Sequence, residues 1–570
     1  MKKIFIALTV ASAALIFSGC EDRLDIQQHG VISMEDFYQT DEDAESALIN
    51  VYYTAGRFLS NSMFTDAGWN ECPLLNPFEY ASDDMYVAGE NKADGVSGNQ
   101  INAFWLDSNN DVIAGSWEAY YMIINAANLV IDHFAESADT PVKKRCVAEA
   151  RIFRAHAHLL LALGWGTPPI VDHCLTGADR PGNAESQEAI LDFIVKDCDL
   201  AINDLPERSS KTDMDGAVKI TKGFAYALKG KALMFKKDYA GAKDALKKVI
   251  DSGKYDLVPS DKMSSLYHYS GRGNEETIFE FNLKYDATVT DYYWRAQPNF
   301  KSLWGWRASK IQIPHGAGSE LPENDGWGWY NPSKKFVDAL LANDGIESAR
   351  RKAWIKSYDE ILYEMPYASD SKYPTLADKK KDPSRGVSAP DGVYGNVGWF
   401  MWKRLLRTED FAPNNEIQWN LVVMRYAEVL LMYAECCAQT GDNSGLTYLN
   451  KVQERAQAKH ISSTLTLQEV QNEKFLECWM EGCRFVDLVR WGIADKELAD
   501  NGKYLPNWCD EMLTKGAAEH KGYIDDSDAK WCTTAHPEMG FKKGKNEVFP
   551  FPFRELNVNP NLVQNPGYQY

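Results

Sequence analysis

A chain of 570 residues with 45% hydrophobic and 25% charged residues carries too much apolar material for a disordered or collagen-like protein and enough for one large domain or several ordinary ones. Its 61 Lys and Arg stand against 81 Asp and Glu, a formal charge of −20, with no basic stripe to interrupt the acidic excess. Such a field repels phosphate backbones, which excludes nucleic acid as an expected partner and leaves small neutral ligands open.

Lys2 and Lys3 precede an apolar run from Ile4 to Phe17, too short for a mature membrane span and of the right length for a signal-peptide core. The run closes in Phe17-Ser18-Gly19-Cys20, which resembles a bacterial lipobox with Phe where Leu is usual. The expectation is a signal peptide over 1–19, a lipidated Cys20 and a tether over 20–40. One acyl chain anchors only marginally, so stable attachment takes two or three. Later apolar stretches are broken by Glu118 and by Pro168-Pro169. Export permits disulfides, and Cys509 and Cys532, each after a Trp in loop-like sequence, form the best pair. Cys436, Cys437, Cys478 and Cys483 lie in helical patterns and read as small apolar core residues.

Helical periodicity dominates the middle of the chain. Residues 117–134 and 148–164 carry apolar side chains at three and four spacing and read as an antiparallel pair. Thr221–Ser252 reads as a second pair: Tyr226, Gly230 and Leu233, then Ala242, Leu246 and Val249, match tetratricopeptide spacing, in which small residues let two helices approach. A third pair is read over 425–435 and 446–456. These units are not tandem, so a small helical-repeat core with long inserted loops is expected rather than a regular solenoid. Between about 267 and 420 the periodicity fades while Gly, Pro, Trp and Tyr accumulate, which predicts long, ligand-carrying loops and short strands. Trp294, Trp304, Trp306, Trp327 and Trp329 are five of the 17 tryptophans, crowded into this stretch.

Catalytic constellations are missing. There is no G-x-S-x-G, H-E-x-x-H or P-loop. His156 and His158, two apart on a helix, face different ways. Asp83 and Asp84 are adjacent and cannot straddle a scissile bond, so a binding or turn role is preferred. Asp107, Asn109, Asp111 and Glu118 occupy four positions of an EF-hand loop, but Val112 stands where the sharp turn requires Gly. No metal and no cofactor is expected, and this loop reads as a polar cap on the following helix.

Several motifs recur in a fixed order: Ala148–Ala155 with Gly166-Thr-Pro-Pro169, Asp197–Pro206, Lys222–Tyr255, Arg425–Glu435, Glu481–Trp491, and Phe549–Leu556 with Asn559–Tyr568. Together they resemble the SusD/RagB family, surface lipoproteins that Bacteroidetes pair with TonB-dependent transporters for nutrient uptake. Cys436-Cys437 and Thr167-Pro168 depart from the family pattern. The resemblance implies a mainly α, SusD-like fold as one domain over 41–570. That domain has a tetratricopeptide-like core at about 117–255 and 421–495, a ligand-binding loop region at about 267–420, and an extended C-terminal segment over 545–570. It also implies a non-enzymatic outer-membrane lipoprotein facing the exterior, which binds oligosaccharide or polysaccharide and serves as lid to a SusC-like transporter. A peptide-binding RagB-type lipoprotein and a surface glycosidase are the rivals. Glu481, Arg484, Asp487 and Arg490 fall at three-residue spacing and read as an ion-pair network fixing one helix face.

The resemblance selects no individual ligand residue, so those are chosen by chemistry. A pyranose has an apolar C–H face that stacks on a flat π surface, while its hydroxyls take planar polar partners. Trp105, Tyr293, Trp294, Trp306, Trp327 and Trp329 are the candidate platforms, with Asp84, Asn109 and Arg307 as polar partners.

Overall fold

The structure is a computed structural model. It describes residues 37–60, 72–87, 94–283, 303–307, 311–315, 318–323, 325–357, 359–367, 370–387, 399–412, 417–418, 420–502 and 538–568. Cys20, Tyr293, Trp294, Cys509 and Cys532 lie outside the described residues.

The helices of eight residues or more are α1 (Asp41–Ser60), α2 (Asp111–Phe134), α3 (Pro141–Trp165), α4 (Gln187–Ala201), α5 (Lys222–Phe235), α6 (Tyr239–Asp251), α7 (Lys334–Asp344), α8 (Tyr426–Thr440), α9 (Gly445–Arg455), α10 (Leu467–Glu477) and α11 (Arg484–Trp491). Their boundaries are written locally. Side chains of Asn110, Thr140, Ser186, Thr221, Asp238, Ser333 and Thr466 accept from backbone N–H groups in the first turns of α2 to α7 and of α10, satisfying donors that a helix start leaves open. α8 and α11 stop at Gly441 and Gly492, whose left-handed backbone (φ 70° and 73°) suits glycine.

The helices stack side by side. α1 lies on α2 and α3, then α3 packs on α4, α4 on α5, α5 on α6, α6 on α8, and α8 on α9 and α10. The repeat pairs therefore form a continuous array, although the chain leaves it between α6 and α8. The physical reason is that the buried stripe of α6 (Ala242, Ala245, Leu246 and Val249) has to be covered, and α8, buried from Tyr426 to Cys437, covers it. Within the α5–α6 pair, a Cβ on Gly230 would stand 2.7 Å from Leu246 Cγ, so the close approach read from the spacing is real.

Four antiparallel ribbons organise the inserted region: β1 (Met85–Tyr86) with β4 (Asn331–Pro332), β2 (Thr277–Asn282) with β8 (Asn420–Arg425), β3 (Ile311–Gln312) with β6 (Gly386–Val387), and β5 (Ile355–Ser357) with β7 (Trp399–Met401). The β2–β8 ribbon closes the neck of the insertion, Thr277 lying opposite Arg425 and Asn282 opposite Asn420. α7 was not expected there. It buries only Phe336, Val337, Leu340 and Asp344, too few apolar positions for a periodic signal.

Buried charges lock the neck to the array. Arg425 donates to Glu276 at 2.7 Å, Glu477 at 2.6 Å and Glu481 at 2.7 Å, and Arg455 reaches Glu276 at 2.6 Å. Burial alone would raise the Glu481 carboxyl, but Arg425 and Lys403 overcome it and hold the group down at about 2. The same balance, through Arg455, Arg425 and Arg350, holds Glu477 well below the carboxylate range. The motif expected to fix one helix face works otherwise. Glu481 precedes α11 and pairs with Lys403 and Arg425, Arg484 pairs with Asp83, Asp487 with Lys474, and Arg490 with Glu435. Only Asp487–Arg490 (2.7 Å) lies inside the motif, so it ties α11 outward to several elements.

The C-terminal segment, expected to be extended, packs against the end of α3 and is not wholly extended. Phe549 N–H donates to Gly164 O at 2.7 Å and the Trp165 indole to Pro550 O at 2.9 Å, but a short helix, Phe553–Val558, follows Pro552, whose fixed φ favours a helix start. Among the described residues no helix is long and apolar enough to cross a membrane.

Candidate functional site

Two tryptophan-bearing loops hang from one short frame, Tyr80–Val87. The first runs up to Trp105 and is held by the Asn102 amide, which donates to Tyr80 O at 2.8 Å and Ser82 O at 3.0 Å. The second carries Trp327 and Trp329 and joins the frame through β1–β4, through Tyr330 N–H to Val87 O at 3.2 Å, and through Ser333 N–H to Asp84 O at 3.0 Å. Tyr80 and Tyr330 complete the joint, their rings stacked at 5.6 Å and their hydroxyls 2.6 Å apart.

Both loops turn at left-handed, non-glycine residues. Phe104 (φ 52°) immediately precedes Trp105, and Tyr330 (φ 64°) immediately follows Trp329. Such backbone costs energy and persists only where packing enforces it. Here Phe104 is gripped by Phe541 at 5.2 Å and Phe485 at 6.1 Å, and the Tyr330 hydroxyl donates to Asn76 at 3.0 Å. The second loop is laced to residues 303–307 by Gly326 N–H to Trp306 O (2.8 Å), Gly328 N–H to Gly305 O (3.0 Å) and Trp329 N–H to Leu303 O (3.2 Å). A Cβ on Gly326 would lie 2.4 Å from the Gly305 backbone, so only glycine admits this contact.

This lacing sorts the candidate residues. Trp105 is 49% exposed and Trp327 37%, whereas Trp329 is 7%, Trp306 4% and Trp304 1% exposed. Trp327 lies on Trp329 with ring centroids 5.1 Å apart, so Trp329 is the layer beneath an exposed indole. Its own N–H has no acceptor among the described residues. Trp306 turns inward, donating to Pro322 O at 2.9 Å with its ring edge against His315. Arg307 is half-buried with its stem against Gly328. Asn109 is exposed in the loop after Trp105, its backbone N–H on the Asp107 carboxylate at 2.8 Å, beside the Asn110 cap of α2.

Asp84 belongs to the floor rather than the rim. It is 1% exposed and accepts from Ser82 Oγ at 2.6 Å, and burial, then the charges of Glu79 and Asp83, push its carboxyl well above the usual range. Neighbouring Asp83 goes the other way. Burial would raise it too, but Arg484 at 2.8 Å, with Lys335, holds it below its ordinary value. Glu79, raised by burial to about 7, accepts from Met480 N–H at 3.0 Å and Gly482 N–H at 2.8 Å. His156 and His158 are buried on different faces, and desolvation lowers them to about 3 and about 4. Among the described residues no three His, Cys, Asp or Glu side chains are grouped to hold a metal.

The sequence reading missed the Tyr80–Tyr330 joint, whose only local signal is Tyr330 closing the Gly-Trp-Gly-Trp run. It also missed a cavity of about 640 Å³ between α1, α2, residues 169–181 and the C-terminal segment, which no single stretch of sequence encodes.

Two exposed indoles, Trp105 and Trp327, thus stand on pinned loops beside a helical-repeat array. Residues 275–568 match the SusD family, and residues 76–232 match the family described as starch-binding associating with outer membrane. The chain belongs to the SusD family. It is similar to a SusD-like protein of Bacteroides ovatus, 23% identical over 98% of this chain and 97% of that one. A shorter match, 29% identical over 26% of this chain and 22% of the other, is to the starch-binding protein SusD of Bacteroides thetaiotaomicron. Among solved structures, surface glycan-binding protein A from Bacteroides thetaiotaomicron in complex with laminarihexaose superposes with a TM-score of 0.70 at 21% identity, over 92% of this chain and 100% of the other. A laminarin binding SusD-like protein gives 0.67 at 23% identity, over 92% and 99%. These likenesses establish a shared fold.

Proposed function

We propose that this chain is an outer-membrane lipoprotein that binds an oligosaccharide on its tryptophan loops and delivers it to a partner TonB-dependent transporter as the transporter's lid. The observation that carries the reading is the placement of exposed Trp105 and Trp327 on loops fixed to the same frame. An indole presented on a rigid support stacks on the C–H face of a sugar with little ordering cost, and polar side chains such as Asn109 and Arg307 take the hydroxyls. The starch-, glycan- and laminarin-binding names of its relatives support a carbohydrate over a peptide. Lipid on Cys20 would hold the chain beside its transporter and raise the local concentration of bound ligand. Closure against the barrel would then enclose the ligand, and the transporter would supply the energy. The chain itself does no chemistry in this scheme.

The test is calorimetry with laminarihexaose, starch oligosaccharides and a peptide mixture, on wild type, Trp105→Ala and Trp327→Ala. One glycan class should bind and each substitution should weaken it several-fold while melting stays unchanged. Binding of peptides alone, or glycan binding indifferent to both substitutions, would overturn the reading, and sustained product release from any glycan would make the chain an enzyme.

A further inference from the structure

The cavity of about 640 Å³ shares no lining residue with the tryptophan loops. Its walls are Phe58 of α1, Trp117, Tyr121 and Leu129 of α2, Val171, and Leu562 of the C-terminal segment, so four stretches distant in sequence enclose it. The size falls within the roughly 300–1,000 Å³ of small-molecule sites. Leu175 and Val558, 41% and 57% exposed, stand at the lining as apolar residues open to solvent.

The charged lining has an acidic excess, beside the neutral polar side chains of Asn50, Thr54, Asn125 and Asn559. Glu118, Asp179 and Glu555 line the space, and Arg180 is the one cation among the described lining residues. Arg180 is spent on carbonyls: its Nε donates to Val558 O at 3.1 Å, and Nη1 to Gly177 O at 2.9 Å and Asp179 O at 2.7 Å. Asp179 turns one oxygen to Thr176, accepting from its N–H at 2.6 Å and its hydroxyl at 2.8 Å. The Trp117 side chain hydrogen-bonds to the Glu555 carboxyl, which burial and then the Glu118 charge push above its ordinary value, although the Arg554 cation next in the chain works the other way. An aromatic, apolar enclosure lined by two half-buried carboxylates, Glu118 and Glu555, is complementary to an ammonium on an apolar body, because such a cation is drawn to the acidic lining and meets π faces.

We infer that this cavity is a second ligand site, distinct from the tryptophan loops, that takes an organic amine with a planar apolar body and a single positive charge. The ammonium lies between Glu118 and Glu555, and the body lies against Phe58, Trp117 and Tyr121. The complex weakens as acid protonates Glu555.

Tryptamine, neutral 3-ethylindole and anionic indole-3-propionate, three probes of one shape, test this by calorimetry on the full chain. Saturable binding of tryptamine is expected, about tenfold weaker for 3-ethylindole and absent for the anion. Glu555→Gln should weaken tryptamine about tenfold, and Leu175→Trp, at an exposed position, should block it. Should Glu555→Gln melt early, Glu118→Gln reports the same charge. Trp327→Ala should leave tryptamine binding unchanged, which separates this site from the glycan reading. The inference falls if tryptamine shows no saturable binding at millimolar concentration, if the three probes bind alike, if neither carboxylate substitution matters, or if Trp327→Ala abolishes binding.

Discussion

Trp327 lies on Trp329 with ring centroids 5.1 Å apart, the upper ring 37% exposed and the lower 7%. The two neighbours in one Gly-Trp-Gly-Trp run therefore have different work, one facing solvent and the other supporting it. Trp327→Ala should remove about 1 kcal/mol of stacking, a several-fold loss of glycan affinity, with unchanged melting. Trp329→Ala should cost about 3–5 kcal/mol of stability and lower affinity as well, since the upper ring loses its bed. Melting curves and calorimetry on the two variants check this. Equal destabilisation by both would show that Trp327 is core.

Gly230 answers to Leu246. With a Cβ there only 2.7 Å from Leu246 Cγ, Gly230→Leu overpacks the α5–α6 contact and should cost roughly 1–3 kcal/mol. The melting temperature should fall while the folded fraction keeps its affinity. Leu246→Ala in the same chain should recover part of the loss, and absence of any recovery would count against a shared contact.

Arg425 neutralises Glu276, Glu477 and Glu481 together. Arg425→Met would strand buried carboxylates at the neck of the insertion and should cost about 3–5 kcal/mol. Arg425→Lys should rescue little, because an ammonium cannot reproduce the planar fork. Chemical denaturation of both variants decides it.

Glu79 and Asp84 give stability a slope with pH. Glu79 is raised from 4.5 to about 7 and Asp84 well above its ordinary 3.8. The folded state thus keeps protons that the unfolded chain has already lost. Unfolding releases them, so the Glu79 share is full below about 4.5 and is lost as pH rises through about 7, while the Asp84 share is full below 3.8 and is lost at higher pH. His156 and His158, lowered to about 3 and about 4, work in the opposite sense, adding stability as pH rises toward 6.5. Asp84→Asn should remove its own share and leave the Glu79 and histidine parts in place. The difference in unfolding free energy between wild type and Asp84→Asn should therefore shift toward the variant as pH rises above the ordinary 3.8 of the carboxyl. A difference independent of pH would show that Asp84 is ionised in the fold.

Cys20→Ala should abolish fatty-acid labelling, because Cys20 is the acyl acceptor proposed for the lipobox-like Phe17-Ser18-Gly19-Cys20. Label retained by the variant would refute Cys20 as the acceptor.

Much of the scaffold was legible because its signals are local. The small residues Gly230 and Ala242 face each other at helical spacing, and Thr221 and Asp238 mark helix starts by chemistry readable one turn away. The candidate site was legible only as a region. Whether an indole faces water depends on partners far along the chain. Trp306 is turned in by Pro322 and Trp329 is drawn down by Leu303, contacts that no period encodes. Asp84 looked like a rim acid because its burial follows from β1 meeting β4 far along the chain, with α2 to α6 between them. The cavity around Trp117 and Glu555 was invisible for the same reason.

Because β2 and β8 are hydrogen-bonded partners, the chain departs from the helices and rejoins them at nearly one point. Everything threaded between is then a cartridge on a fixed socket. Doubling its length would add only about 0.6 kcal/mol of closure entropy, so its loops can lengthen at little cost while buried Arg350 and Lys403 keep it tied to Glu477 and Glu481. What the insertion adds at its far end leaves the socket, with Arg425 at its rim, where β2 and β8 set it.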